Sequence, residues 1–304
     1  MGDPAGVGPE ITQKAWGAIG AEVPFFVIGD AALYPGASVI ETPEAALHAT
    51  SLPVLHRPLP GPVTPGQPTP ENAAAIIDSI REGVDLVTAG AAGALCTNPI
   101  NKAALKDGAD FAYPGHTEFL AALTESPRPV MMLAGEGLRV VPVTIHIALE
   151  EVPAALTPDL IEETIRITDA SLRRMGIARP RLAVAGLNPH AGEQGKMGRA
   201  EIDMIGPPLE RLKAEGLAIT GPHPADTMFH PAARARYDVA ICMYHDQALI
   251  PIKTVDFAGG VNVTLGLPIT RTSPDHGTAY DIAGQGVADA QSLIAALKMA
   301  AELA

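Results

Sequence analysis

The chain has 304 residues, of which 47% are hydrophobic and 18% are charged, and its formal net charge is −13. This composition excludes a disordered chain, and the length allows about two domains at roughly 150 residues each. The acidic charge argues against binding to nucleic acid or anionic membranes, and no apolar run approaches the ~20 residues of a membrane helix. The two cysteines and the lack of a signal-peptide pattern lead us to expect a cytoplasmic protein.

Short apolar runs alternate with helical patterns along the chain. Strands are predicted at residues 25–29, 93–97, 130–133, 140–147, 181–186, 239–243 and 261–264. Helices are predicted at residues 71–87, 158–175, 201–214 and 290–303. This alternation indicates an α/β fold with mostly parallel sheets, in which ligands bind beyond the carboxyl ends of the strands.

Two features mark the predicted helices. Thr157 and Pro158 are typical of a helix start, and Gly176 is typical of the stop that follows. Within residues 201–214, Pro207 and Pro208 directly follow Gly206, so this helix is expected to kink or restart there.

Three histidines occupy one structural position, at the end of a predicted strand or just after it. They are His146, His190 and His245. Three neutral imidazoles with an open position suit Zn²⁺ or another divalent transition metal. The residues alone also allow three ordinary hydrogen-bonded histidines. A fourth, His116, lies at a predicted helix start in Gly115-His-Thr-Glu.

Lys253, Asn262 and Arg271 follow one another at intervals of nine residues, around a glycine-rich stretch with few charges. Cations are scarce in this acidic chain, so Lys253 and Arg271 are candidates for binding a phosphate, with Asn262 beside them. Thr117 adds a hydroxyl and a backbone N–H at a helix start. The alternative is that both cations are solvated surface residues.

Two glycine-containing loops precede helical patterns, at residues 2–10 and 272–286. Neither contains a Walker phosphate loop or the Gly-x-Gly-x-x-Gly dinucleotide fingerprint, and neither pattern occurs elsewhere. The sequence therefore disfavours a standard Rossmann domain.

Long motifs of this chain are similar to those of the 4-hydroxythreonine-4-phosphate dehydrogenase family of pyridoxine and pyridoxal phosphate biosynthesis. The resemblance extends from residue 1 to about residue 286. The motifs are Gly2-Asp-Pro-Ala-Gly-Val-Gly-Pro-Glu, Thr97-Asn-Pro-Ile-Asn-Lys, Gly115-His-Thr-Glu, Gly186-Leu-Asn-Pro-His-Ala-Gly-Glu, Pro224-Ala-Asp-Thr, Tyr244-His-Asp-Gln, Gly260-Val-Asn-Val-Thr-Leu-Gly-Leu-Pro and Arg271-Thr-Ser-Pro-Asp-His-Gly-Thr-Ala.

The resemblance implies a homodimer of two-domain α/β/α subunits, akin to isopropylmalate and isocitrate dehydrogenases, with the active site in an interdomain cleft at the dimer interface. We place one domain at residues 1–125 plus 246–304 and the other at 126–245. The resemblance also implies a divalent metal (Zn, Co or Mg) held by His146, His190 and His245, one of them lent by the partner subunit.

The resemblance further assigns substrate and cofactor contacts. Substrate binding falls to His116, Thr117, Lys253, Asn262 and Arg271. NAD or NADP binding falls to the loop that contains Asp275, His276, Gly277, Thr278, Ala279 and Asp281. We expect Asp226 or Asp246 to orient a histidine or the substrate amine, and Lys102 to take part in proton transfer.

The implied reaction is oxidation of the C3 hydroxyl of 4-phosphooxy-L-threonine, followed by decarboxylation to 3-amino-2-oxopropyl phosphate. Two alternatives stay open. One is a paralogue acting on 4-phosphoerythronate, 4-phosphothreonate or a cis-dihydrodiol; the other is an anion-binding protein like the phosphate acetyltransferases, which needs neither metal nor NAD. The family also carries a short apolar strand before the first glycine loop, so we expect the natural start to lie upstream of Met1.

Overall fold

The computed structural model describes all 304 residues of the chain. The strands are β1 Val27–Gly29, β2 Ser38–Ile40, β3 Pro53–His56, β4 Leu95–Cys96, β5 Val130–Gly135, β6 Leu138–Pro142, β7 Arg181–Ala185, β8 Ala218–His223, β9 Val239–Cys242, β10 Val261–Leu265 and β11 Arg271–Pro274. The helices are α1 Gly8–Ile19, α2 Ala73–Thr88, α3 Lys102–Ala109, α4 His116–Leu123, α5 Val152–Ala155, α6 Pro158–Arg174, α7 Gly206–Ala214, α8 Pro231–Arg234, α9 His245–Val255 and α10 Gln291–Glu302.

The chain divides into two units. Unit 1 comprises Met1–Pro129 and Leu267–Ala304, and unit 2 comprises Val130–Gly266. The sequence placed the second boundary between residues 245 and 246, whereas the structure places it after Gly266. The reason is that α9 packs on β6 and β9, and β10 pairs with β5, so both elements belong to unit 2.

Unit 1 contains two groups of parallel strands. β1, β3 and β2 form a three-stranded sheet in that order, and β4 pairs with β11. Helix α2 packs on both β1 and β4, and α10 packs on β11 and β4. The buried residues of α2 recur at helical spacing and join the aromatic side chains Phe111 and Phe119 in one apolar core.

Unit 2 has one sheet, in which the strands follow the order β10-β5-β6-β9-β7-β8. The strands β6, β9, β7 and β8 are parallel to one another, while β5 runs antiparallel to both of its neighbours. The four parallel strands therefore end at one edge of the sheet. This confirms the predicted α/β class with mostly parallel pairing.

Two helix predictions for unit 2 are confirmed. In α6 the side chain of Thr157 accepts a hydrogen bond from the backbone N–H of Leu160 at 3.1 Å, which is the expected N-terminal cap. The Gly206-Pro-Pro sequence interrupts the next helix: residues Glu201–Ile205 form a π-helical turn, and α7 restarts at Gly206. None of the helices has the length and apolar character needed to cross a bilayer.

Candidate active site

The three histidines of the predicted metal site lie beyond neighbouring strands of unit 2. His146 follows β6, His245 begins α9 directly after β9, and His190 follows β7. Because β6, β9 and β7 are adjacent and parallel, their carboxyl ends meet at one edge of the sheet. The fold thus brings these three sequence-distant histidines to the same edge.

Two of the three rings are close neighbours. The ring centroids of His146 and His245 are 5.7 Å apart. No three His, Cys, Asp or Glu side chains of the chain are grouped closely enough to hold a metal ion. His190 therefore does not complete a three-ligand set within one chain, and the metal site stays a prediction.

The backbone at two of these histidines is left-handed. The φ angles of His146 and His190 are +38° and +53°, in a region that residues with a side chain rarely adopt. Such conformations cost about 1–3 kcal/mol each and cluster at functional sites. Both side chains are exposed, so packing does not explain the strain.

Two buried polar side chains hold these loops in place, and sequence reasoning missed both. Glu201 accepts hydrogen bonds from the backbone N–H and the side-chain amide of Asn188, at 2.7 and 3.1 Å, just before His190. Gln247 donates to the carbonyl of Gly186 at 2.8 Å and accepts from the N–H of Met243 at 2.7 Å, which links the loops after β7 and β9. The sequence carries no signal for either, because both have charged or polar neighbours along the chain.

The two candidate carboxylates differ in their relation to the histidines. Asp246 Oδ1 lies 2.7 Å from Nδ1 of His245, a contact that directs the other ring nitrogen, Nε2, away from the carboxylate. Asp226 is exposed in a short 3₁₀ turn after β8 that packs against the His190 loop. Of the two, Asp246 has the direct histidine contact.

Unit 1 contains a group of buried and half-buried polar side chains, which we call the anion cluster: Arg271, Thr97 and His116. Arg271 is only 3% exposed, and its Nη2 donates to Oγ1 of Thr97 at 2.6 Å. Burial lowers the pKa of Arg271 to about 10, because water no longer solvates the charge. The alternative of a solvated surface cation is therefore excluded for Arg271.

The third member of the anion cluster is a neutral imidazole. Burial, followed by the positive charges of Arg271, the amino group of Met1 and Lys102, lowers the pKa of His116 well below its usual value. Its Nε2 is buried without a hydrogen-bond partner. A buried polar atom without a partner is costly, so this nitrogen is suited to a polar group of a ligand.

The remaining predicted substrate residues, and Lys102, which was predicted for proton transfer, are distributed over both units. Thr117 lies in the first turn of α4, and Lys102 is exposed as the first residue of α3. In unit 2, Lys253 lies 5.3 Å from the ring centre of Phe257, and Oδ1 of Asn262 is buried without a partner.

A further residue, Asn98, was not singled out from the sequence. Its side chain donates to Oγ1 of Thr12 at 2.8 Å, and its own Oδ1 is buried without a partner. It follows Thr97 directly and so borders the anion cluster. The only sequence signal was its place in the Thr97-Asn-Pro motif.

The predicted cofactor loop follows β11 and is attached to the first glycine loop. The N–H of Val7 donates to the carbonyl of Thr278 at 2.9 Å. Oη of Tyr280 donates to Asp3 at 2.7 Å, and a Cβ on Gly6 would lie 2.8 Å from the Thr278 carbonyl oxygen. The two glycine-containing loops are therefore packed against each other, and their backbones approach closely at Gly6 because this residue has no side chain.

Polar side chains with open hydrogen-bonding atoms lie beyond the ends of parallel strands, and the chain has no dinucleotide fingerprint. These features define an α/β protein that binds small anionic ligands without a Rossmann domain. Residues 22–300 match the family model of the pyridoxal phosphate biosynthetic protein PdxA. The chain belongs to this family, and the resemblance drawn from its motifs is confirmed.

Relatives and solved structures agree with that assignment. The chain is 59% identical to a 4-hydroxythreonine-4-phosphate dehydrogenase of Paracoccus denitrificans, over all of this chain and 96% of the relative. It matches a crystal structure of 4-hydroxythreonine-4-phosphate dehydrogenase from Klebsiella pneumoniae at 39% identity and a TM-score of 0.91, covering 100% and 97% of the two chains. A terephthalate 1,2-cis-dihydrodiol dehydrogenase from Burkholderia xenovorans matches at 28% identity and a TM-score of 0.70, covering 99% and 96%.

Proposed function

We propose that this chain is a metal-dependent NAD(P) dehydrogenase that oxidises the C3 hydroxyl of 4-phosphooxy-L-threonine and yields 3-amino-2-oxopropyl phosphate after decarboxylation. The observation that carries the proposal is the anion cluster, in which a buried guanidinium lies beside a neutral imidazole whose Nε2 lacks a hydrogen-bond partner. Buried cations are stabilised by anions, and a guanidinium binds a phosphate through two parallel hydrogen bonds. A phosphorylated substrate meets this requirement, whereas a dihydrodiol does not offer a phosphate.

His146, His190 and His245 would hold the divalent metal of this proposal. The donor chemistry fits, because imidazole nitrogens bind Zn²⁺ and Co²⁺, and Asp246 orients the ring of His245. When bound, such a metal supplies Lewis acidity to alcohol and carbonyl oxygens. The pairing of only two rings within one chain supports the proposal that the partner subunit lends the third ligand.

Exposed apolar side chains near the histidine loops support a homodimer. Ile250 and Phe257 on and after α9 are 63% and 79% exposed, and Leu149 after β6 is 68% exposed. Large apolar side chains that are left exposed are candidates for an interface, and a two-fold dimer buries the same residues of both copies. We propose that a second copy of the chain covers this surface.

The proposed chemistry requires a base, a hydride acceptor and an orienting anion site. The C3 hydroxyl would give its proton to a base, and a nicotinamide held by the loop of residues 275–281 would supply the acceptor for the hydride from C3. The carboxylate of the resulting β-keto acid is then lost as CO₂, and a proton replaces it on carbon. Lys102 is the proposed group for these proton movements, Asp226 or Asp246 orients a histidine or the substrate amine, and Arg271 holds the phosphate.

Nicotinamide binding is assigned to the loop with Asp275, His276, Gly277, Thr278, Ala279 and Asp281. The loop has a left-handed residue, Ala279 at φ +45°, and His276 is exposed. Its attachment to the first glycine loop through Thr278 holds the backbone of the loop in place. This arrangement supports binding of NAD or NADP without a Rossmann fingerprint.

The test is NAD(P)H formation, followed spectrophotometrically, with 4-phosphooxy-L-threonine, 4-phosphothreonate, 4-phosphoerythronate and a cis-dihydrodiol. Each substrate is measured after chelation and after return of Zn²⁺, Co²⁺ or Mg²⁺. We expect the highest kcat/KM with 4-phosphooxy-L-threonine and no turnover without metal. Activity that survives chelation, or acyl transfer to phosphate without NAD, would overturn the proposal.

A further inference from the structure

The loop assigned to the cofactor ends in a segment without helix or strand that leads into α10. Gly286 and Ala288 belong to this segment, and Val287 between them is 64% exposed. Backbone N–H and carbonyl groups outside helices and strands are bound by side chains or by water. The side chains that bond to Gly286 and Ala288 therefore decide how firmly the end of this loop is held.

Two side chains of α1 bond to the backbone of both residues. Glu10 accepts from the N–H of Gly286 at 3.1 Å, through Oε2, and from the N–H of Ala288 at 2.8 Å, through Oε1. Nζ of Lys14 donates to the carbonyl of Gly286 at 2.9 Å and to that of Ala288 at 2.6 Å. One acid and one base thus satisfy the backbone polar groups of both loop residues.

The acid and the base also bond to each other. Nζ of Lys14 donates to Oε1 of Glu10 at 2.9 Å, with the two residues one helical turn apart. Together with its bonds to the loop, this contact uses the full donor capacity of an ammonium group. The side chain of Glu10 is only 14% exposed. We call this pair, with the backbone of Gly286 and Ala288, the loop clamp.

The loop clamp is one of several attachments that residues 3–14 make to the cofactor loop. Upstream of it, the N–H of Val7 donates to the carbonyl of Thr278, and Tyr280 donates to Asp3. Asp281, a predicted cofactor residue, is exposed between these contacts and the loop clamp. The loop clamp therefore limits the freedom of the part of the loop that contains this residue.

We propose that Glu10 and Lys14 are positioning residues of the cofactor loop, an inference that rests on the assignment of NAD or NADP to this loop. A flexible loop loses conformational freedom when a ligand binds to it, and this loss weakens binding. The bonds of the loop clamp join groups of the protein alone, so they order the loop in advance. The affinity for the cofactor should therefore depend on Glu10 and Lys14, whereas phosphate binding by Arg271 should not.

Charge alone makes a different prediction for one variant. Glu10→Gln removes a negative charge from a chain of net charge −13, and by itself this change should tighten the binding of a dinucleotide with anionic phosphates. A positioning role predicts the opposite, because the amide of glutamine presents N–H groups to a backbone N–H that needs an acceptor. Lys14→Met should weaken binding for both reasons. Glu10→Gln therefore separates the two explanations.

Binding of NADH and of NADPH to the full chain is followed by nicotinamide fluorescence, without substrate. We expect Kd to rise about tenfold in Glu10→Gln and in Lys14→Met, as for a loop that adopts its binding conformation one-tenth of the time. Amide hydrogen exchange of residues 284–290, measured without cofactor, should be faster in both variants. Asp78→Asn and Arg81→Met are the matched controls, because these two residues form an exposed ion pair on α2 of the same unit. Both controls should leave Kd and exchange unchanged.

A Kd that stays the same or falls in Glu10→Gln overturns the proposal, as does exchange of residues 284–290 at the rate of the unaltered protein. A lower Tm together with a higher KM for the phosphorylated substrate overturns it as well, because the pair would then support the whole unit. Failure of the unaltered protein to bind either nucleotide instead contradicts the assignment of the cofactor to this loop, and with it the inference, so the two failures are distinguishable.

Discussion

The two ends of the parallel strands in unit 2 are built differently. At the amino ends of β7 and β9, Arg181 and Asp238 form a paired contact, with Nη2 to Oδ1 at 2.8 Å and Nε to Oδ2 at 3.2 Å. At the carboxyl ends, His146 and His190 are exposed on left-handed backbone. At the amino ends the charges are paired and the backbone is unstrained. At the carboxyl ends the backbone is strained and imidazole nitrogens are open to a ligand.

This difference separates stability from chemistry within one sheet. Residues at the amino ends are expected to change the free energy of unfolding and leave turnover intact. Residues at the carboxyl ends are expected to do the reverse, because the histidines contribute little packing. The loop that carries His190 is in turn held by buried Glu201 and Gln247, so the structure fixes this loop from within.

The largest expected effect is that of His190→Ala. Removal of a metal-binding nitrogen should lower kcat by more than about 100-fold, beyond the range found for residues that only orient a ligand. Because His190 is exposed, the Tm should stay within the error of the unaltered protein. Turnover, bound metal and Tm are measured together, with His230→Ala, another exposed histidine of unit 2, as the matched control. Wild-type turnover in His190→Ala would remove this histidine from the metal site.

Arg271→Met extends the comparison to unit 1. There the predicted site residue is a buried cation, whereas in unit 2 the predicted site residues are exposed histidines. Loss of a charged hydrogen-bond partner costs about 1.5–3 kcal/mol of substrate binding, a rise in KM of roughly 10- to 150-fold. Removal of the desolvated charge offsets the loss of its hydrogen bond to Thr97, so the Tm should change little. Arg199→Met, on the surface beside Asp203, is the control. A fall in Tm with unchanged KM would make Arg271 a structural residue.

Asp246→Asn should have a smaller effect, since Asp246 acts through His245. Loss of a carboxylate that orients a metal-binding histidine lowers metal affinity by about 10- to 100-fold. Competition with a chromogenic chelator measures this affinity, and excess metal should restore most of the turnover. Asp159→Asn, an exposed acid in the first turn of α6, is the control. Turnover that excess metal cannot restore would instead make Asp246 the base.

Much of this architecture could be predicted from the spacing of apolar residues and from the residues that begin and end helices. The long apolar runs gave β7 and β9, and Thr157, Pro158 and Gly176 bounded α6. Four strands were missed: β2, β3, β8 and β11. β2 has three residues, and β8 contains Gly221 and Pro222, so neither shows a strand pattern. Their pairing depends on neighbours distant in sequence, which a single-sequence window does not contain.

The same limit applies to the site. Position along the chain placed three histidines after strands, and sheet order then explained why they share an edge. Burial could not be predicted: Arg271 reads as an ordinary cation in the sequence, and only the fold shows it to be 3% exposed. Nor could the sequence show that Asn98 and Glu201 face the interior, because each depends on contacts with distant segments.

The smallest effect is expected from Asp238→Asn, at the amino ends of the parallel strands of unit 2. The hydrogen bond from Arg181 lowers the pKa of Asp238 below its usual value of 3.8, against the opposing effect of burial. A depressed folded-state pKa gives stability that is present above about pH 4 and is lost as the pH falls through the folded value. Because Arg181 is half exposed, solvent screening limits the contribution to about 1 kcal/mol.

The free energy of unfolding is measured from pH 7 to pH 2.5. It should fall less steeply with acid in Asp238→Asn than in the unaltered protein, with kcat unchanged at pH 7. Asp203→Asn, whose ion pair with Arg199 is more exposed, should change the acid dependence of stability less than Asp238→Asn does. A fall in kcat with Asp238→Asn would mean that both ends of the sheet serve the chemistry.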